Sequence, residues 1–220
     1  MSTREFVNEN MNPPVRGFLH TPESPNGDAI VLTHGAGGNA QAPLLRALAE
    51  TFANPGYTVL RCNLPYRQVR PFGPPGPGDA ARDRAGLKNA IAEMKKQVTG
   101  RTFLAGQSYG GRQASMLCAE EPELVAGLLL LSYPLHPPRR PEQQRTQHLP
   151  DLRTPTLFVQ GTRDPFASIP ELQRALKMIP AKTNLVPVEG AGHDLGFKGK
   201  ATQIELPQTI RTEFEKLFGR

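Results

Sequence analysis

Short apolar or β-branched runs alternate along this chain with longer stretches in which apolar residues recur every three or four positions. The short runs, at 29–33, 57–62, 102–106, 125–132, 156–161 and 184–189, have the length and composition of buried strands. The longer stretches carry Leu44, Leu45, Leu48 and Phe52, then Leu87, Ile91, Met94 and Val98, then Leu172, Leu176 and Ile179, and last Ile210, Phe214, Leu217 and Phe218. At helical spacing each set makes one apolar stripe on a helix. Strands and helices in alternation predict a parallel sheet covered on both faces. Residues 3–20 predict one or two weaker strands ahead of that run, added as an antiparallel edge.

Two segments break the rhythm. Residues 71–78 read Pro-Phe-Gly-Pro-Pro-Gly-Pro-Gly, and residues 134–150 are again rich in proline. Proline lacks the N–H that a helix interior or central strand needs, so both are loops. With no internal repeat and no linker, residues 1–220 form one α/β domain.

Composition narrows the function classes. The chain has 220 residues, enough for one full α/β core, and its 21 Gly and 23 Pro make it unusually rich in loops. Its longest apolar run, 124–131, is too short to span a bilayer. No apolar stretch of signal-peptide length follows Met1, so the cytoplasm is the expected compartment. Cys62 and Cys118 have neither disulfide-framework nor metal-ligand spacing, and no metal is expected. The formal charge of +6 raises nucleic acid as a partner. There is no Trp, however, aromatic residues are 6%, and no nucleic-acid motif occurs, so neither nucleic acid nor membrane is the expected partner.

The sharpest chemical signal is Gly106-Gln107-Ser108-Tyr109-Gly110, placed after one predicted strand and before a helix. This G-x-S-x-G turn is so tight that only small flanking residues fit, and it pushes the Ser108 hydroxyl out over the sheet edge. A serine hydroxyl needs a base. Of the five histidines, only His193 follows the last predicted strand, in Gly190-Ala191-Gly192-His193-Asp194. The orienting acid is expected at Asp164, just after the fifth parallel strand, which completes the chain order Ser, acid, His. Asp194 is disfavoured, because a residue adjacent to His193 rarely sets its carboxylate against the ring. For an oxyanion hole, the expected donors are the amides of Tyr109 and of Ala36 in His34-Gly35-Ala36-Gly37-Gly38, the glycine-rich loop after the first parallel strand. His34 opens that loop and is expected chiefly to fix its backbone.

These four motifs, in this order, resemble the α/β-hydrolase superfamily across roughly residues 29–218. Within it, Ser132-Tyr133-Pro134-Leu135-His136-Pro137-Pro138 and Gln160-Gly161-Thr162-Arg163-Asp164-Pro165-Phe166 resemble the dienelactone-hydrolase-like branch. That branch contains the testis-expressed hydrolase-like proteins and a subunit of the nonspecific-lethal chromatin complex. The resemblance implies an α/β-hydrolase fold with minimal or no cap, and acyl transfer through Ser108, His193 and Asp164 without a cofactor. Dienelactone hydrolases proper use a cysteine nucleophile, so Ser108 does not imply dienelactone activity.

The leading expectation is a carboxylesterase or thioesterase acting on a small molecule. Its alternatives are a catalytically silent scaffold that binds a protein partner through the proline-rich loops, and a peptidase or acyltransferase on the same triad. His34, Gly35, Arg67, His136 and Arg139 are expected near the substrate. Arg67, Arg70, Arg139, Arg140, Arg145, Lys198 and Lys200 fall in loops after strands, where acidic residues are sparse, so an anionic substrate is the working expectation. The short 136–148 segment predicts an open site suited to short or medium acyl groups.

Overall fold

In a computed structural model, which describes residues 1–197 and 205–219, the apolar runs form the centre of one eight-stranded sheet. The strands are β1 (Ser2–Asn8), β2 (Val15–Thr21), β3 (Ala29–Thr33), β4 (Thr58–Cys62), β5 (Thr102–Gln107), β6 (Leu128–Leu131), β7 (Thr156–Gly161) and β8 (Thr183–Val188), in the spatial order β1-β2-β4-β3-β5-β6-β7-β8. From β4 across to β8 every pair is parallel, while β1 and β2 add antiparallel at the β4 edge. Every residue of β3, β4, β6 and β7 is buried, as a sheet covered on both faces requires.

Successive residues on these strands face opposite layers. Val31, Leu104, Leu128 and Leu130 join one core with Leu87, Ile91 and Met94 of α3 (Asp79–Gln97), Leu117 of α4 (Tyr109–Glu120) and Leu172 of α5 (Ile169–Leu176). Ile30, Leu32, Leu129 and Leu131 join the other with Leu45, Leu48 and Phe52 of α1 (Pro43–Ala53) and with Ile210 and Phe214 of α6 (Glu205–Phe218). Phe214 sits edge-on between Phe52 at 5.0 Å and Phe103 at 4.9 Å, and burying one such ring contributes about 2–3 kcal/mol. Both thiols are interior, and burial pushes Cys62 and Cys118 up to about 12.

The boundaries depart from the sequence pattern in small ways. Strand β6 is four residues, because Leu124 and Val125 belong to the approach from α4. Val98 and Ile179 lie just past their helices yet still pack on the core. One short helix, α2 (Pro65–Val69), was not signalled by periodicity, since five residues do not complete two turns. Residues 71–78 contain no helix or strand, whereas the expected loop 134–150 runs at its end into a short 3-10 turn, Leu149–Asp151.

The fold also decides where a site can form. After β3 the chain passes to α1 on one face, and after β5 it passes to α4 on the other. Neighbouring strands whose connections leave toward opposite faces open a crevice at their carboxyl ends. The glycine-rich loop 34–38 and the turn at Ser108 border that crevice.

Candidate active site

The turn between β5 and α4 is built from close backbone approaches. A Cβ on Gly106 would lie 2.6 Å from the Gly111 nitrogen, and one on Gly110 would lie 2.4 Å from the His34 carbonyl oxygen. Both positions therefore need glycine. Ser108 itself sits at φ 50°, ψ −117°, a strained conformation that a non-glycine residue keeps only when its surroundings hold it. Here the Ser108 amide donates to Leu131 O at 2.8 Å, and its carbonyl accepts from the Arg112 amide at 2.9 Å.

The Ser108 hydroxyl meets His193, which follows β8. Ser108 Oγ and His193 Nε2 are 2.8 Å apart, and His193 Nδ1 is 2.8 Å from Asp164 Oδ2. A carboxylate accepts, so the ring proton belongs on Nδ1, and bare Nε2 then accepts from the serine hydroxyl. The Phe166 ring lies against the His193 ring, with centroids 4.2 Å apart. Asp164 is held independently of the histidine: Oδ2 also accepts from Gln160 Nε2 at 2.9 Å, and Oδ1 accepts from the Phe166 amide at 2.9 Å. Its side chain is fully buried while that of His193 is 27% exposed, so the pair is anchored at the acid and open at the serine.

Ser108 and His193 line a pocket of about 630 Å³, with Ala36, Pro74, Pro134 and Phe166 among its walls. Ala36 and Tyr109 both line it, and among the described residues no group accepts from the amide of either. The loop that carries Ala36 is tied down from behind. Tyr66 Oη donates to Ala36 O at 2.8 Å, Arg67 Nη2 donates to the same oxygen at 2.9 Å, and Arg67 Nε donates to Gly38 O at 2.8 Å.

Four of the five side chains expected at the substrate are placed elsewhere. Arg67 is buried, and its remaining donors go to the carbonyls of Arg70 and Gly73, so it braces the loop rather than facing a ligand. His34 is buried, its Nδ1 donating to Gly35 O at 2.9 Å and its Nε2 accepting from the Leu64 amide at 3.1 Å. Burial lowers its pKa to about 4, which fixes it as a neutral brace. His136 is buried beside Glu171, 3.5 Å from Oε2, and outside the pocket. Arg139 is exposed at φ 62° and does not line the pocket. Only Gly35 does.

Of the other basic residues expected on the rim, Arg70 pairs with Asp79, Arg140 is exposed, and Arg145 lines the pocket. Lys198 and Lys200 lie outside the described residues. Sequence reasoning missed Arg112, which also lines the pocket. It follows Ser108 by four residues, one helical turn, and that spacing places it on the face of α4 nearest the serine.

Comparison with known proteins agrees with this architecture. The family described as "alpha/beta hydrolase domain" matches residues 26–216. Among solved structures, an alpha-beta serine hydrolase homologue from Coxiella burnetii superposes with a TM-score of 0.77 at 18% identity, covering 97% of this chain and 98% of that one. A dienelactone hydrolase from Anabaena variabilis gives 0.72 at 20% identity, covering 99% and 98%. A curated relative, the 2-hydroxy-6-oxononadienedioate/2-hydroxy-6-oxononatrienedioate hydrolase of a Pseudomonas species, is 28% identical over 120 residues. That match spans 53% of this chain and 41% of the relative.

Proposed function

The chain belongs to the alpha/beta hydrolase domain family, and from that premise we propose that it is a serine hydrolase cleaving an ester or thioester of a small molecule. The observation that carries this reading is the unbroken line from Asp164 through His193 to the Ser108 hydroxyl, with 2.8 Å at each step, opening into a pocket. Ser108 Oγ attacks the acyl carbon while its proton passes to His193 Nε2. The carbonyl oxygen, now an oxyanion, takes hydrogen bonds from the amides of Ala36 and Tyr109, each contributing roughly 3 kcal/mol to the transition state. His193 returns the proton to the departing alcohol or thiol. Water, deprotonated by the same nitrogen, then attacks the acyl-enzyme and frees Ser108.

Every group in this cycle belongs to the chain, and each proton taken up is returned. The segments Ser132–Pro138 and Gln160–Phe166 support placement in the dienelactone-hydrolase-like branch beside the testis-expressed proteins. Among the described residues no helix is long and apolar enough to cross a membrane, and a cytoplasmic site of action fits the reading.

Labelling with a fluorophosphonate tests the proposal. The native protein is expected to be modified and Ser108→Ala is not, and a panel of ester, thioester, lactone and amide substrates then ranks the bond cleaved. A well-folded native protein that resists the probe and turns over no substrate would replace this reading with the silent scaffold.

A further inference from the structure

Two arginines from different elements meet in the pocket. Arg112 comes from the first turn of α4, and Arg145 from the long loop between β6 and β7. Neither forms an ion pair with a carboxylate among the described residues. Arg112 Nε is buried and has no hydrogen-bond partner, and no side-chain bond is formed by the rest of its guanidinium among the described residues. Arg145 uses one donor, Nη1, on Pro134 O at a long 3.3 Å. Burial, and after it the charge of Arg112, lowers the Arg145 pKa, so the two cations are near enough to repel. The groups beside them include the Tyr133 hydroxyl and His148, whose pKa is lowered to about 4 by burial and then by Arg112, while Asp194 on the same pocket wall forms no ion pair with either arginine among the described residues. Unpaired like charges lining a cleft favour a bound anion.

We infer that Arg112 and Arg145 form a carboxylate-binding subsite, and that the substrate is a small ester or thioester bearing a carboxylate. The charge count selects the anion. Asp194 also lines the pocket, so the two guanidinium groups leave a balance of one positive charge, which a singly charged carboxylate neutralises and a dianionic phosphate overshoots. The remaining walls, Pro74, Pro75, Pro134 and Phe166, suit a short apolar spacer between that carboxylate and the acyl carbon. The inference rests on the serine-hydrolase reading for its reaction, but the binding it asserts is measurable without turnover.

Two measurements test it. The first compares matched esters in which the carboxylate is free or methylated: the 4-nitrophenyl monoester of glutarate against its methyl diester, and the butyryl ester of 3-hydroxypropanoate against the methyl ester of that compound. In at least one pair the free acid is expected to show a kcat/KM higher by about 10- to 100-fold, the scale of a charge-assisted hydrogen bond. That ratio is expected to fall toward one in Arg112→Gln and in Arg145→Gln, and to persist in Arg140→Gln, an exposed arginine on the same long loop. The second is calorimetric binding of monomethyl glutarate, which carries one carboxylate, and of inorganic phosphate to Ser108→Ala. Monomethyl glutarate is expected to bind more tightly than phosphate, and Arg112→Gln in that background is expected to abolish it with the circular dichroism spectrum unchanged. Should neither ester pair show a preference for the acid and monomethyl glutarate fail to bind, or should phosphate bind as well as monomethyl glutarate, the carboxylate subsite is overturned. Monomethyl glutarate binding without ester turnover or Ser108 labelling would instead keep the subsite and remove the serine-hydrolase reading.

Discussion

The Tyr109 hydroxyl donates to Asp83 Oδ2 at 2.8 Å, tying the first residue of α4 to the buried side of α3. Asp83 Oδ1 accepts from the Tyr66 amide at 3.0 Å, and the Tyr66 hydroxyl in turn donates to Ala36 O. One buried carboxyl thus braces both Ala36 and Tyr109, which line the pocket beside the serine. Burial raises the pKa of Asp83, and burial together with the neighbouring Asp83 raises that of Tyr109, so the phenol stays a donor. Asp83→Asn replaces one acceptor oxygen with a donor and leaves a buried group unmatched. It is expected to lower kcat about 10-fold with KM changed less than about twofold, because in the proposed cycle the amides act on the oxyanion and not on the ground state. A rise in KM at constant kcat would show that the brace serves substrate binding instead.

The turn at Ser108 predicts an asymmetric glycine response. Alanine at 110 would press its Cβ to 2.4 Å from a backbone carbonyl and 2.7 Å from Thr33 Cγ2, whereas a Cβ at Gly37 meets nothing within 4 Å. Gly110→Ala should cost about 1–3 kcal/mol in chemical denaturation and slow fluorophosphonate labelling, while Gly37→Ala leaves the unfolding midpoint in place.

Stability should depend on pH above the carboxylate range. His20 and His34 are buried and His148 is half-buried, and each is lowered from 6.5 to about 4, chiefly by burial. Between those values the unfolded chain binds more protons than the folded one, so stability rises with pH through this window and is lost on acidification. By pH 5 the loss from His34 alone is about 2 kcal/mol. Urea midpoints at pH 7 and pH 5 measure it, and His148→Gln should shrink the difference. Equal midpoints would count against buried neutral histidines.

The pocket volume of about 630 Å³ sets an upper limit on the acyl group. No helical cap covers the pocket among the described residues, so little extra apolar surface is available to a long chain. Rates on 4-nitrophenyl esters should peak at short or medium acyl length and stop rising well before about ten carbons, since a pocket of this class encloses only a small ligand. A steady climb beyond that length would contradict it.

How much of this was legible in the residues depends on the range over which each feature is decided. Strand β3 and the stripe Leu44, Leu45, Leu48, Phe52 are local patterns, and they appear where the periodicity puts them. The elbow is equally local, because Gly106 and Gly110 answer contacts within a single strand-to-helix turn and its neighbouring loop. Asp164 and His193 lie 29 residues apart, yet chain order suggested both, since each follows the carboxyl end of a strand whose place in the sheet is set by the parallel alternation.

The arginines show the opposite case. Arg67 and Arg139 occupy loops where a cation would ordinarily face solvent or ligand, but Arg67 is drawn inward by four carbonyls from segments 36–38 and 70–73. Arg112 was hidden within the helical period of α4. What the sequence alone determined was the layering of the domain and the serine turn, whose causes are short-range sterics and the period of apolar burial. Only the tertiary structure decided which charges line the pocket, because a long side chain points toward whichever distant carbonyl or carboxylate the fold brings within reach, and at Arg112 it brings none among the described residues.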